Sequence, residues 1–525
     1  MKNVSILVIL VLGASQHLSG QAKLRKMPPN INHSSINNYA PYISLDGNTM
    51  VYIADVAEDN VLTMCYSSRE GVNWKDPVTL SKSLNSRLNF LKGFGLSPDG
   101  KTLFISNSKG NGLGGFDLYT SQFTGLLWTE PVNMGLPVNS KSHEACPSLS
   151  VDGSILYFMR CEKMDFAKAD NCKIMMMTKK PNGQWGQPVE LPASINSGNS
   201  QTPRIMGDGE TLVFSSNKIQ PNKGGMDLYF TRLTNGQWSN PQPLDFVNTP
   251  NDDQYVSATS LGRYLVKDMP GTHESELVEI LFPADTRPRS TMKIEGTVAG
   301  IENPTSAYVT IYNLLNQSRV FSTRPGKDGT FVAYVKEGGV YDLSVDPEQD
   351  NFTFFSKKFD MTTEKFSLVE KVTAPLKPLA SGDEIALNGI SFISYSHELN
   401  PTSTQELQRL VRLLKGNPDK YFSLRVTHKG FEKDSVRSGP DLTESHVDTL
   451  RIPVTYPVDS VTTATRDSLV IKTTYHNDRT LRQAKVVCDY LISNGVTAGK
   501  IACSGISLPE AIPENRKTLI DVIVH

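Results

Sequence analysis

The sequence predicts a multidomain, mostly β protein: an all-β propeller of five blades, or six, then a small β-sandwich, then an α+β domain. Three observations predict it. The four tryptophans open the stretches "WKDPV", "WTEPV", "WGQPV" and "WSNPQ" at Trp74, Trp128, Trp185 and Trp238, in steps of 54, 57 and 53 residues. Asp-Gly pairs followed by apolar runs keep step with them at Asp46, Asp99, Asp152 and Asp208. Late in the chain the apolar period changes from 2 to 3.6, which moves the fold from sheet to helix.

The N-terminus, "MKNVSILVILVLGASQHLSGQAK", has a basic start, an apolar run from Val4 to Leu12 and then small polar residues. That run is too short to span a bilayer, so residues 1–21 read as a secretory signal. No Cys lies near Ser15 to Gln21, which speaks against a lipid anchor, and no later stretch reaches the length of a transmembrane span. Formal net charge is −1 at pH 7 without a basic stripe, so no nucleic-acid partner is expected. Of the six cysteines, Cys161 and Cys172 flank a loop between "ILYFMR" and "KIMMMT", placed for a bridge across a hairpin mouth. Cys488 and Cys503 read as small buried residues.

Residues 30–286 form the predicted propeller. In each unit Asp-Gly suits a tight turn, because Gly accepts positive φ and Asp bonds its own backbone. An apolar strand follows, then a Gly-rich loop ending in "GGFDLYTS" or "GGMDLYFT", a further strand, and the Trp and Pro. A decayed fifth copy starts at Ser260, and strands near Ile31 to Tyr42 could complete a closing blade. About four short strands per unit describe a blade, which must stack on its neighbours to bury both faces. Strict recurrence makes the tryptophans wedges between blades rather than a ligand platform. It likewise makes Asp117 and Asp227 turn or cap residues rather than catalytic acids. The stretch Ser97-Pro98-Asp99-Gly100, with Leu103-Phe104 and Asp117-Leu118-Tyr119, resembles the WD-like propeller repeats of the TolB type.

Residues 291–375 hold closely spaced alternating strands, "KIEGTVAG", "AYVTIYN", "GTFVAYV" and "YDLSVDP", the pattern of a small β-sandwich. With the Gly296-x-Val298 opening they resemble carboxypeptidase regulatory-like modules, which implies a spacer or interaction domain. Residues 376–387, "LKPLASGDEIAL", read as a linker.

The last domain spans 388–525, with an insertion at 431–475. Ser403 precedes an apolar stripe at Leu407, Leu410, Val411 and Leu414, and Glu406 completes a capping box. A second helix runs from about Asp478, with Leu481, Ala484, Cys488 and Leu491 on one face and Gly495 as its stop. "AKVVCDYLISNGVTAGKIACSG" and "ENRKTLIDVIV" resemble the OmpA-like C-terminal domain. That family clamps the diaminopimelate of peptidoglycan between an Asp and an Arg, by charge pairing. Here Gly430 stands at the Asp position, Gln483 at the Arg and His476 at the usual Asn. Arg482 is one residue away, about 100° around the helix, and Arg516 matches. The candidate peptidoglycan-facing set is therefore His428, Glu432, Asp434, His476, Arg482 and Arg516, with a weakened clamp expected.

No nucleophile elbow, phosphate loop, zinc helix or paired-Cys metal spacing is present, so no catalytic, cofactor or metal residues are assigned and a non-enzyme is expected. The domain order resembles exported Bacteroidota proteins that include the PorE-like component of type IX secretion and gliding machinery, without its N-terminal helical repeats. That resemblance implies a periplasmic scaffold at the outer membrane or cell wall, binding envelope proteins through the propeller. The alternative is a glycan- or peptide-binding propeller, perhaps a hydrolase, with aromatic or acidic side chains converging in its channel. The insertion could itself bind a partner.

Overall fold

A computed structural model describes residues 24–525, apart from 45–46, 57–60, 86–92, 109–111, 166–167, 260–262, 271–274, 364–368, 394–395, 430–432, 435–443, 477 and 509–516. The 1–21 segment expected as a signal lies outside the described residues. The chain divides into two compact units, Met1–Thr291 and Met292–His525.

The first unit is a β-propeller whose described residues form five antiparallel sheets, one after another along the chain. Their innermost strands are Asn37–Ile43, Phe94–Leu96, His143–Leu149, Ser200–Ile205 and Ser257–Thr259. The fifth sheet takes its outermost strand from the N-terminus: Leu24–Lys26 pairs with Ser275–Leu281. This closes the ring by joining the two ends of the repeat array. In the Asp-Gly turns, Gly47, Gly100, Gly153 and Gly209 have φ of 75°, 69°, 69° and 66°, a region where a side chain is strained. Each of their N–H groups donates to the carbonyl three residues back: Ser44, Ser97, Ser150 and Met206.

Each Trp packs on the preceding blade. Trp128 meets Tyr66 of the first blade edge-on at 6.4 Å, and Trp238 meets Tyr157 of the third at 6.3 Å. Trp74 is buried in a cluster with Val266 and Leu277 of the fifth blade. The Asp of the Gly-rich loops caps backbone. Asp117 accepts from the N–H groups of Leu113 and Gly114, and Asp227 from those of Lys223 and Gly224. A Cβ on Gly114 would lie 1.9 Å from the Ser142 carbonyl oxygen of the next blade, so these loops need glycine for close approach.

A further repeat went unread in the sequence. Asn32, Asn85, Asn139, Asn196 and Asn248 each accept the N–H of one third-strand residue and donate to its carbonyl: Leu277, Met64, Leu118, Ile174 and Leu228. Asn32 serves the fifth blade from the N-terminal side, the same closure seen in the strand pairing.

The second unit begins with two packed sheets. Thr330–Lys336, Thr291–Ala299 and Val369–Pro375 form one; Ser318–Thr323, Ala307–Asn313, Val340–Pro347 and Phe355–Asp360 form the other. Ile294, Val309, Ile311, Phe331 and Leu343 fill the space between them. Next comes a four-stranded sheet in the order Glu384–Ala386, Lys517–Val524, Phe422–Lys429, Ile501–Leu508, packed with helices Thr404–Gly416 and Thr480–Ser493.

Five expectations change here. The 376–387 segment is part of the fold rather than a linker: it buries Leu376, Leu379, Ile385 and Leu387 and adds an edge strand. Ser403 makes no cap bond to the helix, exchanging hydrogen bonds with Ser391 instead. Glu406 is consumed by a buried ion group: Arg409 donates to Glu406 and to Asp342 of the sandwich, both at 2.6 Å, and Ser356 donates to Glu406 at 2.8 Å. Leu481, assigned to the buried face, is exposed, while Cys488 and Cys503 are bridged to one another.

Candidate functional site

The propeller axis brings together polar and aromatic side chains from different blades. In every innermost segment one residue has positive φ: Ala40, Gly93, Cys146, Thr202 and Tyr255, at 48°, 65°, 49°, 48° and 50°. In the first, third and fourth blades the register shifts across this residue, marking a bulge. Two residues further on stand Tyr42, Gly95, Ser148, Arg204 and Ser257, one per blade.

These five do different work at one level. Arg204 of the fourth blade stacks on Tyr42 of the first, 3.5 Å from its ring centre, while its Nε donates to the Val256 carbonyl of the fifth. Tyr42 donates its hydroxyl to the Leu96 carbonyl of the second blade. Gly95 leaves room for this: a Cβ there would sit 3.1 Å from the Tyr42 ring and 2.3 Å from the Pro147 carbonyl oxygen. Ser148 and Ser257 accept the N–H groups of Ile205 and Ile43 on neighbouring blades. The result is a plug across the channel.

Beside it, Tyr255 lies in the same apolar cluster as Ala40 and Cys146. Burial pushes its phenol well above the ordinary range, and Cys146 and Asp268 add to that shift. Burial also pulls the Arg204 guanidinium down, against the opposing effect of Tyr42 and Cys146. Asp268 accepts the Ala40 N–H; burial raises its carboxyl, opposed by Lys267. Within this cluster the buried Tyr255 hydroxyl and Arg204 Nη1 have no hydrogen-bond partner among the described residues. The acidic Glu144 is not free for chemistry, being held by Arg160 at 2.7 Å and Ser140 at 2.5 Å. No group of three or more His, Cys, Asp and Glu that could hold a metal occurs among the described residues.

In the α+β domain, His428 is at the end of its strand with Nδ1 3.1 Å from the Thr518 hydroxyl. Arg482 is exposed on the second helix, and Gln483 donates to the Ser396 carbonyl at 3.2 Å. Gly430, Glu432 and Arg516 lie outside the described residues, as do the side chains of Asp434 and His476, whose backbones pair in neighbouring strands. Cys161 and Cys172 are bridged across their hairpin, directly opposite one another.

The insertion forms a long hairpin, Glu444–Pro457 against Thr463–His476. One face carries Leu450, Ile452, Val454, Tyr456 and Val470, and the other Val447, Leu469 and Ile471, all exposed. Alternation in sheets normally buries one apolar face. Among the described residues, neither is covered here.

No family model matches the chain, and no curated protein matches it. Among solved structures it is similar to an endo-arabinase from Bacteroides thetaiotaomicron, at 15% identity and TM-score 0.35, over 50% of this chain and 98% of that one. A TolB structure from Agrobacterium tumefaciens shares 15% identity at TM-score 0.28, over 57% and 90%. An arabinanase of Bacillus subtilis shares 14% identity at TM-score 0.31, over 47% and 94%. Enzymes thus stand among the structures this chain is similar to, and on that finding the expectation of a non-enzyme is corrected.

Proposed function

We propose that this protein is an exported propeller protein of the cell envelope that binds other envelope proteins, with the hairpin of the C-terminal unit as its contact element. The uncovered apolar rows on both faces of that hairpin carry this reading, because exposed contiguous apolar surface marks interaction sites. The propeller supplies a rigid body, and the OmpA-like domain docks toward peptidoglycan on the periplasmic side, at the outer membrane or cell wall. Arg482 and His428, both at the surface, would make that second contact. The resemblance of the domain order to exported Bacteroidota proteins supports a role in type IX secretion or gliding machinery.

Two experiments separate the parts. Replacing residues 444–476 by a short turn, followed by affinity capture from native envelopes, should remove the bound proteins; an unchanged set rejects the hairpin as the contact. Sedimentation of the mature full chain with purified peptidoglycan tests docking, and no retention at physiological salt rejects it. The full chain is required because Arg409 would be stripped of Asp342 in a fragment starting near 385.

A second reading, a propeller that binds a glycan or peptide at its axis, draws support from Tyr42, Tyr255 and Arg204 meeting there. Binding of oligosaccharides that is lost in Arg204→Ala would favour it over the first.

A further inference from the structure

The two outer edges of the hairpin are unequal. Pro453 stands opposite Asp467, and Pro457 opposite Thr463, in an antiparallel register that runs unbroken from end to end. Proline has no N–H, so a ladder accommodates it only where the backbone groups point away from the paired strand. Opposite residues share that orientation. The odd-numbered residues of both strands therefore direct their N–H and C=O groups outward. On the Glu444–Pro457 strand two of those outward donors are removed by proline, a common protection of sheet edges. On the other strand the outward residues are Thr463, Thr465, Asp467, Leu469, Ile471 and Thr473, and none is proline. Among the described residues this edge is occupied only at its end, where Lys433–Asp434 pairs with Tyr475 and His476. It already accepts a third strand there.

We propose that this edge pairs with the same edge of a second copy of the chain, antiparallel about a two-fold axis at Ser468. The charges of the strand count against the neighbouring registers. With the axis at Ser468, Asp467 faces Leu469 of the second copy, Arg466 faces Val470, and Lys472 faces Ala464, so no like charges stand directly opposite, Asp467–Asp467 and Arg466–Lys472 being only diagonal. Moving the axis to Asp467 sets that carboxylate against itself. Moving it to Leu469 sets Arg466 against Lys472, and moving it to Arg466 sets two guanidinium groups together. Like charges directly opposite destabilise a strand pair. The favoured register also brings Leu469, 63% exposed in the single chain, onto Leu469 of the second copy as a diagonal neighbour. A closed two-fold contact of this kind is the commonest form of self-association. The inference goes beyond the proposed function, sharing with it the hairpin as a contact element.

Sedimentation equilibrium of the purified mature chain tests it, from low micromolar to near-millimolar concentration. A reversible dimer is expected. Leu469→Pro with Ile471→Pro removes two outward donors while sparing the hairpin's own ladder, and should weaken the dimer by about tenfold or more. Thr455→Pro, on the protected edge, should leave it unchanged. Ser468→Lys sets two ammonium groups together at the axis and should also give monomer at low salt, which keeps the test decisive if the double proline variant loses its strand signal. A monomer at every concentration, or a dimer that survives both Ser468→Lys and the proline pair, overturns the proposal. Because only purified chain is used, failure here leaves the envelope-capture result to stand or fall separately.

Discussion

The Arg204 guanidinium lies 3.5 Å over the ring of Tyr42, joining the fourth and first blades across the propeller axis. Together with the bonds to Val256 and Leu96, this pair touches four of the five blades. Arg204→Lys keeps the charge but loses the planar stack and the Nε donor. It should cost about 1–3 kcal/mol in chemical denaturation of the propeller. An unchanged midpoint would show that the plug does not hold the ring.

The asparagine clamp should be costlier to remove than its polar side chain suggests. Asn139 is fully buried and satisfies both the N–H and the carbonyl of Leu118 at 2.8 and 2.9 Å. Asn139→Ala leaves the Leu118 N–H buried without a partner, at about 1–3 kcal/mol, while its carbonyl keeps the Met134 N–H. Asn182→Ala, at an exposed turn, serves as the control and should be near neutral. Melting curves of the two variants decide it.

Asp268 gives a pH dependence. Burial raises its carboxyl, with Lys267 opposing and Asp253 adding to the rise. A folded state that holds a proton more tightly than the unfolded chain is stable below the ordinary carboxylate value, about 3.9, and loses that stability as pH rises through the folded value. Asp268→Asn keeps an acceptor for the Ala40 N–H without the buried charge. The variant should match the wild type in melting temperature near pH 4 and exceed it increasingly toward neutrality. A constant difference at all pH values would refute the burial argument.

Arg409 joins the sandwich to the α+β domain. It is 3% exposed, as is Asp342, and Glu406 is 1% exposed. The two carboxylates raise the guanidinium, overcoming the opposing effect of its burial. Arg409→Ala strands two buried acids and should cost about 3–5 kcal/mol. In calorimetry, one transition for residues 292–525 should split into two. Arg409→Met fills the space but leaves the same acids unpaired, so it should not restore a single transition.

Much of the propeller was legible because its signals are local. Asp46-Gly47 and its copies make turns from the φ of one residue, and a Trp follows later in each repeat unit. The asparagine repeat was equally present in the sequence, at Asn32, Asn85, Asn139, Asn196 and Asn248. It escaped because Asn between strands reads as an ordinary turn former, and nothing local shows that its side chain reaches the middle of a strand. Glu406 was misread for a related reason. Three residues after Ser403 it satisfies the capping-box spacing, but Arg409 and Ser356 compete for it more strongly than the helix end does. Leu481 matched the helical stripe by spacing, yet the sheet covers only part of that face.

By itself, the sequence determined the order of modules, the repeat unit, the turns and the place of the insertion. Each of these follows from backbone preference or apolar period within a few dozen residues. Only the tertiary structure decided which side chains meet: Arg204 with Tyr42 across the axis, Asn32 with the fifth blade, Arg409 with Asp342, Cys488 with Cys503. Those pairings depend on ring closure and on packing between layers, which bring distant residues within a few ångströms without leaving any periodic trace in the chain.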